Sequence, residues 1–152
     1  MKIVRYIGAV LAGVIVASFF MFGEEAIRQT IYPPPSGTNT QDVAQMKAFV
    51  ATLPASSFML ALTGQLIGVF AATWLAARLA RRANAGYITG FICLCALAAL
   101  SVAWFRVGDP RRIVNAFMMP KPDWFSEAGL VIWIAATWVG ARVGAERKLS
   151  NS

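Results

Sequence analysis

Apolar residues in this chain gather into four long runs, divided by short charged or proline-rich stretches. A bilayer core about 30 Å thick needs roughly 20 apolar residues in helical form. Each run meets that length, and none carries the polar face that a helix at a water boundary shows. The pattern therefore predicts an all-α integral membrane protein with four transmembrane helices in an antiparallel bundle. The helices are expected at residues 3–31, 57–80, 86–106 and 124–145, within one membrane domain covering residues 1–152.

The connections add two shorter elements. Good helix formers continue the first run through Glu24, Glu25 and Arg28, and Glu24 with Arg28 has the favoured i,i+4 order. Tyr32 precedes Pro33 and is pushed out of the helical region, so the helix should end near Ile31. Pro33, Pro34 and Pro35 then favour a stiff, extended stretch. Over residues 41–53, Val43, Met46, Phe49, Val50 and Leu53 share one face, which predicts a short amphipathic helix capped by Asn39 or Thr40. Pro54 ends it, and Ser56 or Ser57 is the expected cap of the next span. A second amphipathic segment is expected at residues 110–119, where Pro110 suits a helical start. Asp123 is placed to cap the last span. Both amphipathic segments fall in the outer connections.

Charge changes the picture in one respect, because it orients the spans. The chain carries a net charge of +7. Flanking Lys and Arg explain it more economically than nucleic acid does, since they set topology and meet anionic headgroups. Sorting the loops puts Lys2, Arg5, Arg78, Arg81, Arg82, Arg142, Arg147 and Lys148 on one side. Arg28, Lys47, Arg106, Arg111, Arg112 and Lys121 fall on the other. A very short arginine-dense turn resists translocation, so both termini and the turn at Arg78, Arg81 and Arg82 are expected in the cytoplasm. Lys2 and Arg5 ahead of an apolar run resemble a secretory signal. Phe19, Phe20, Met21 and Phe22 close that run without a small-x-small site, so it reads as an uncleaved helix.

The sharpest motif lies in the second span, where Gly64, Gly68, Ala72, Ala76 and Ala80 recur every four residues. Such a stripe lets another backbone approach closely. Ala136, Gly140 and Gly144 answer it in the fourth span, Ala9, Gly13 and Ala17 in the first, and Gly86 and Gly90 open the third. The stripe serves either packing inside one bundle or a surface for a second copy or another membrane protein. Glu24, Glu25, Arg28, Gln65, Glu127, Arg111 and Arg112 form the candidate polar cluster, because ionisable groups at membrane depth are the default site candidates. Its simpler reading is an interfacial set of ion pairs, with Gln65 bonding between helices. Cys93 and Cys95 are two apart on a helix, point to nearly opposite faces, and read as small apolar residues.

The absences are equally informative. The chain has no histidine, which removes histidine base chemistry and histidine-ligated haem or metal. It contains no phosphate-binding loop, nucleophile elbow or CxxC pair. No residue is assigned a catalytic, cofactor-binding or metal-binding role, and no cofactor is expected. The proline cluster at Pro33, the stripe of the second span and Pro-Lys-Pro-Asp-Trp-Phe at residues 120–125 together resemble a family of small uncharacterised four-span bacterial inner-membrane proteins. That resemblance implies a multi-pass inner-membrane setting and no transferable activity. The expected role is structural, assembly or accessory through helix packing, with membrane lipids, a second copy or another membrane protein as partners. The alternative is a small transporter or lipid-binding protein with an outward-facing cavity near Glu24, Glu127 and Gln65.

Overall fold

A computed structural model describes residues 2–37, 42–106 and 123–146. Its regular structure is helical: α1 is Lys2–Ile31, α2 Val43–Thr52, α3 Ala55–Ala80, α4 Ala83–Arg106 and α5 Asp123–Glu146. No strand occurs among the described residues. Three helices are long and apolar enough to cross a membrane, at Ile3–Ile31, Ala55–Ala80 and Glu127–Glu146. In α4 the apolar stretch among the described residues is shorter, Ala83–Ala96. The segment 110–119, with Arg111 and Arg112, lies outside the described residues, as does the side chain of Glu25.

α3 is the hub. It lies against α1, α4 and α5, α4 also touches α1 and α5, and α1 and α5 make no close approach among the described residues. Gly13 of α1 meets α3 at Ala72 and Ala76, whereas Gly64 of α3 meets Glu24, so these two helices run antiparallel. Gly129 of α5 faces Leu62 and Gly144 faces Ala77, so α3 and α5 run parallel. Spans two apart in an up-and-down helical chain share a direction, and that is the relation α3 and α5 have. The intervening pass of α4 returns the chain to the direction of α3, and α5 then packs beside α3 as well as beside α4.

The packed interior is small in volume and made of small residues. Ala72, Ala76, Ala77, Ala85 and Ala141 are fully buried, and a cluster of Ala17, Val69, Ala72, Cys93, Trp133 and Ala136 forms its centre. The large apolar side chains point the other way. Phe19 and Ile3 are each 75% exposed, Ile15 68%, Phe91 66% and Ile134 60%. A chain folded for water would bury such residues and avoid contiguous apolar surface of this kind.

The helix ends differ from the expected caps in instructive ways. Asp42, not Asn39 or Thr40, caps α2: its carboxylate accepts from Ala44 N at 2.9 Å and Gln45 N at 3.5 Å. The aspartate sits one residue ahead of Val43, where its side chain can reach both free amides, as an N-cap must. Neither Ser56 nor Ser57 caps α3, which begins two residues earlier than expected, with Pro54 at the N-cap position and no side-chain cap bond. Ser57 instead donates its amide to Pro54 O at 3.0 Å. The Ser56 hydroxyl is engaged with the Tyr32 hydroxyl at 2.8 Å, joining the end of α1 to the start of α3.

The other end of α3 closes on a left-handed residue. Arg82 N donates to Ala77 O at 3.1 Å and Arg81 N to Arg78 O at 3.3 Å, the paired bonds of a Schellman cap. Arg81 occupies the left-handed position, at φ 56°, which usually falls to glycine. Arg5 of α1 donates Nε–H to Leu79 O at 2.7 Å, satisfying one of the carbonyls that every helix C-terminus leaves open. An arginine in the left-handed region costs on the order of 1 kcal/mol. Arg81→Gly is accordingly expected to raise unfolding stability by up to about 1 kcal/mol, read as a later midpoint in a denaturant titration of the detergent-solubilised protein.

Candidate functional site

The candidate polar cluster divides over two faces of α3. Glu24 is half-buried, its Cβ and Cγ lie over Gly64, and its Oε1 is buried. Glycine at 64 is what admits it, since a Cβ there would strike the Glu24 stem. Gln65, the next residue along, faces a different neighbour: its Oε1 lies 3.9 Å from where a Cβ on Gly129 of α5 would stand. Glu127 is exposed, and Arg28 is half-buried in the last turn of α1. The structure thus brings Glu24 to the α1–α3 seam and Gln65 to the α3–α5 seam. Successive residues on a helix point about 100° apart, which keeps these two groups on separate sides of α3.

The small-residue stripes close on one another inside the chain. Gly68 of α3 receives Phe20 and the Ala17 carbonyl of α1, and Ala72 and Ala76 receive Gly13. Gly140 of α5 lies on Thr73 and the Phe70 carbonyl of α3, and Gly144 lies on the Trp74 carbonyl. Gly13 and Gly86 occupy the inner junctions. A Cβ on Gly13 would come within 2.7 Å of Thr89 Cγ2 and 2.8 Å of Ala72 O. One on Gly86 would come within 2.6 Å of Ala141 Cβ and 2.8 Å of Thr73 O. Backbones this close gain dispersion energy that bulkier residues would forbid.

Thr73, Thr89 and Trp133 turn toward backbone in this interior. Thr73 Oγ1 donates to Val69 O at 2.8 Å, with Phe70 O at 3.1 Å and Ala136 O of α5 at 3.5 Å as further acceptors. Thr89 donates to Ala85 O at 2.8 Å. The Trp133 indole N–H of α5 donates to Gly90 O of α4 at 3.1 Å. That last bond was not foreseen, because a tryptophan this deep in a span reads as a packing or lipid-facing residue. Its signal was present: a buried indole needs an acceptor, and a glycine on the facing helix exposes its carbonyl. Thr89 bonds back to its own preceding turn, as threonine in a helix usually does, and Thr73 adds the Ala136 carbonyl of α5 as a further acceptor.

Two arginines at the Arg81 end stack on tryptophans of their own helices. Arg78 lies 5.0 Å from the Trp74 ring centroid and Arg142 4.3 Å from that of Trp138, both within cation–π range. At the opposite end Phe58 of α3 and Phe125 of α5 meet edge to face at 5.4 Å. No group of three or more potential metal ligands exists among the described residues. Comparison with protein-family models, with curated proteins and with solved structures finds no match, so the site is argued from its residues alone.

Two glycine substitutions separate packing from propensity. Gly140→Ala drives a methyl onto Phe70 O and Thr73 and is expected to destabilise the fold by about 1–3 kcal/mol. Gly8→Ala meets nothing within 4 Å, and is expected to be neutral or to stabilise by up to about 1 kcal/mol through helix propensity. Equilibrium unfolding of the two variants in the same detergent checks both signs.

Proposed function

We propose that the chain is a small four-span protein of the bacterial inner membrane with a structural, assembly or accessory role, both termini lying in the cytoplasm. The spans are α1, α3, α4 and α5, and the arginines at 5, 78, 81, 82 and 142 form the cytoplasmic belt. One observation carries the reading. The small-residue faces and the threonines are spent on contacts within the chain, while large apolar side chains occupy the outside. Such an object is suited to sit in hydrocarbon and present a rigid apolar surface. A transport path needs ionisable or polar groups through the membrane depth, whereas Thr73 and Thr89 of the described interior are already bonded to backbone.

The transporter alternative draws its support from Glu24, whose carboxylate is partly withdrawn from solvent beside Gly64. It is the weaker reading, because Gln65 faces another helix and Glu127 is exposed. The accessory role implies protein contact at the outward face of α1, away from the internal stripe. A photo-crosslinking residue at Phe19 or Phe22, used in native membranes, is expected to give a discrete adduct of reproducible mass with a second copy or another protein. Lipid adducts alone at both positions would contradict that role.

A further inference from the structure

α4 and α5 part along an open groove of about 270 Å³, walled by Tyr87, Phe91 and Leu94 on one side and Trp133, Ile134 and Trp138 on the other. Its lining is almost wholly apolar. The floor is Gly90 and Thr137, which touch. Thr137 Oγ1 is buried there and has no hydrogen-bond partner among the described residues. The groove lies apart from the polar cluster and from the small-residue face of α3, and it opens on the outer surface of the helices.

Charge gathers at one end of it. Arg142 stacks on Trp138, a groove wall, with 4.3 Å from guanidinium carbon to ring centroid. Gly86 of α4 faces Ala141 of α5, so in this antiparallel pair Arg142 lies level with Ala85. Exposed Arg81 and Arg82 stand about one turn beyond, in the short link between α3 and α4. The described carboxylate nearest in sequence to Arg142 is Glu146, which is exposed on the next turn of α5. Thr137 lies five residues from Arg142, about 7 Å deeper along the helix.

We infer that this groove is a binding site for an anionic phospholipid. The phosphate meets Arg142 with Arg82, and one acyl chain lies over Gly90 between Phe91 and Ile134. The glycerol backbone then sits at about the depth of Thr137. Basic groups at a cleft between membrane helices are the general recognition device for such headgroups. A second copy of the chain would fill the apolar part of the groove but would bring its own arginines against these. The anionic lipid satisfies both halves. This inference rests on the membrane placement proposed above.

The test uses quenching of tryptophan fluorescence, since Trp133 and Trp138 wall the groove. The purified full chain is reconstituted into vesicles in which either the phosphatidylglycerol or the phosphatidylcholine carries dibrominated acyl chains. Brominated phosphatidylglycerol is expected to quench at several-fold lower mole fraction than brominated phosphatidylcholine. Arg142→Gln should lower that preference about fivefold, and Arg142→Lys should retain most of it. Equal quenching by the two lipids would overturn the site while leaving the membrane reading intact. Quenching by neither would overturn the membrane reading itself. Loss of the preference in step with dimer formation, as protein is concentrated, would assign the groove to a second copy and overturn the lipid.

Discussion

Close approach of helix backbones on α3 is the constraint from which the rest of the structure follows. Glycine and alanine at 64, 68, 72 and 76 bring α1 in, and Gly140 and Gly144 bring α5 in on another face. Little room remains between the helices for large side chains, so phenylalanines, isoleucines and leucines are displaced outward. An apolar exterior is then the consequence of a tight interior. In hydrocarbon that exterior costs nothing, because lipid tails are as apolar as the side chains they meet.

The same constraint decides how polar groups are handled. A threonine fits in a narrow seam and can satisfy its hydroxyl on its own preceding turn, as Thr73 and Thr89 do. A larger donor needs an opening, and Gly90 supplies one for Trp133. Interhelical bonds of this kind contribute about 0.6–2 kcal/mol each, so they tune register more than they hold the helices together. The two ends are treated differently. Arginines dominate one, where Arg5 closes the C-terminus of α3 and Arg81 accepts a strained backbone conformation. At the other, a Tyr32–Ser56 contact and the Phe58–Phe125 pair tie the helices by uncharged groups.

Much of the helical layout was legible because its determinants are local. Pro33 halts α1 at the residue before Tyr32, and arginines 81 and 82 mark the break between α3 and α4. The stripe on α3 was equally plain, since spacing by four puts residues on one face whatever the partner. Which helix would cover that face was not readable, because small residues recur in every span and complementarity is a property of pairs. The caps went astray for a related reason. Asn39, Thr40, Asp42, Ser56 and Ser57 all have capping chemistry, and only the backbone path decides which one meets a free amide. The candidate cluster of Glu24, Gln65 and Glu127 was drawn from depth alone; helical phase, which sends Glu24 and Gln65 to different neighbours, separates it.

All of this depends on hydrocarbon surrounding α1, α3, α4 and α5. The most direct measurement is the behaviour of the full chain when membranes are washed with alkaline carbonate and then treated with a mild detergent. The account expects the protein to stay in the sedimented membrane through the wash and to be released, still helical, only by detergent. Release by carbonate alone as a folded, dispersed species stable in aqueous buffer would contradict it.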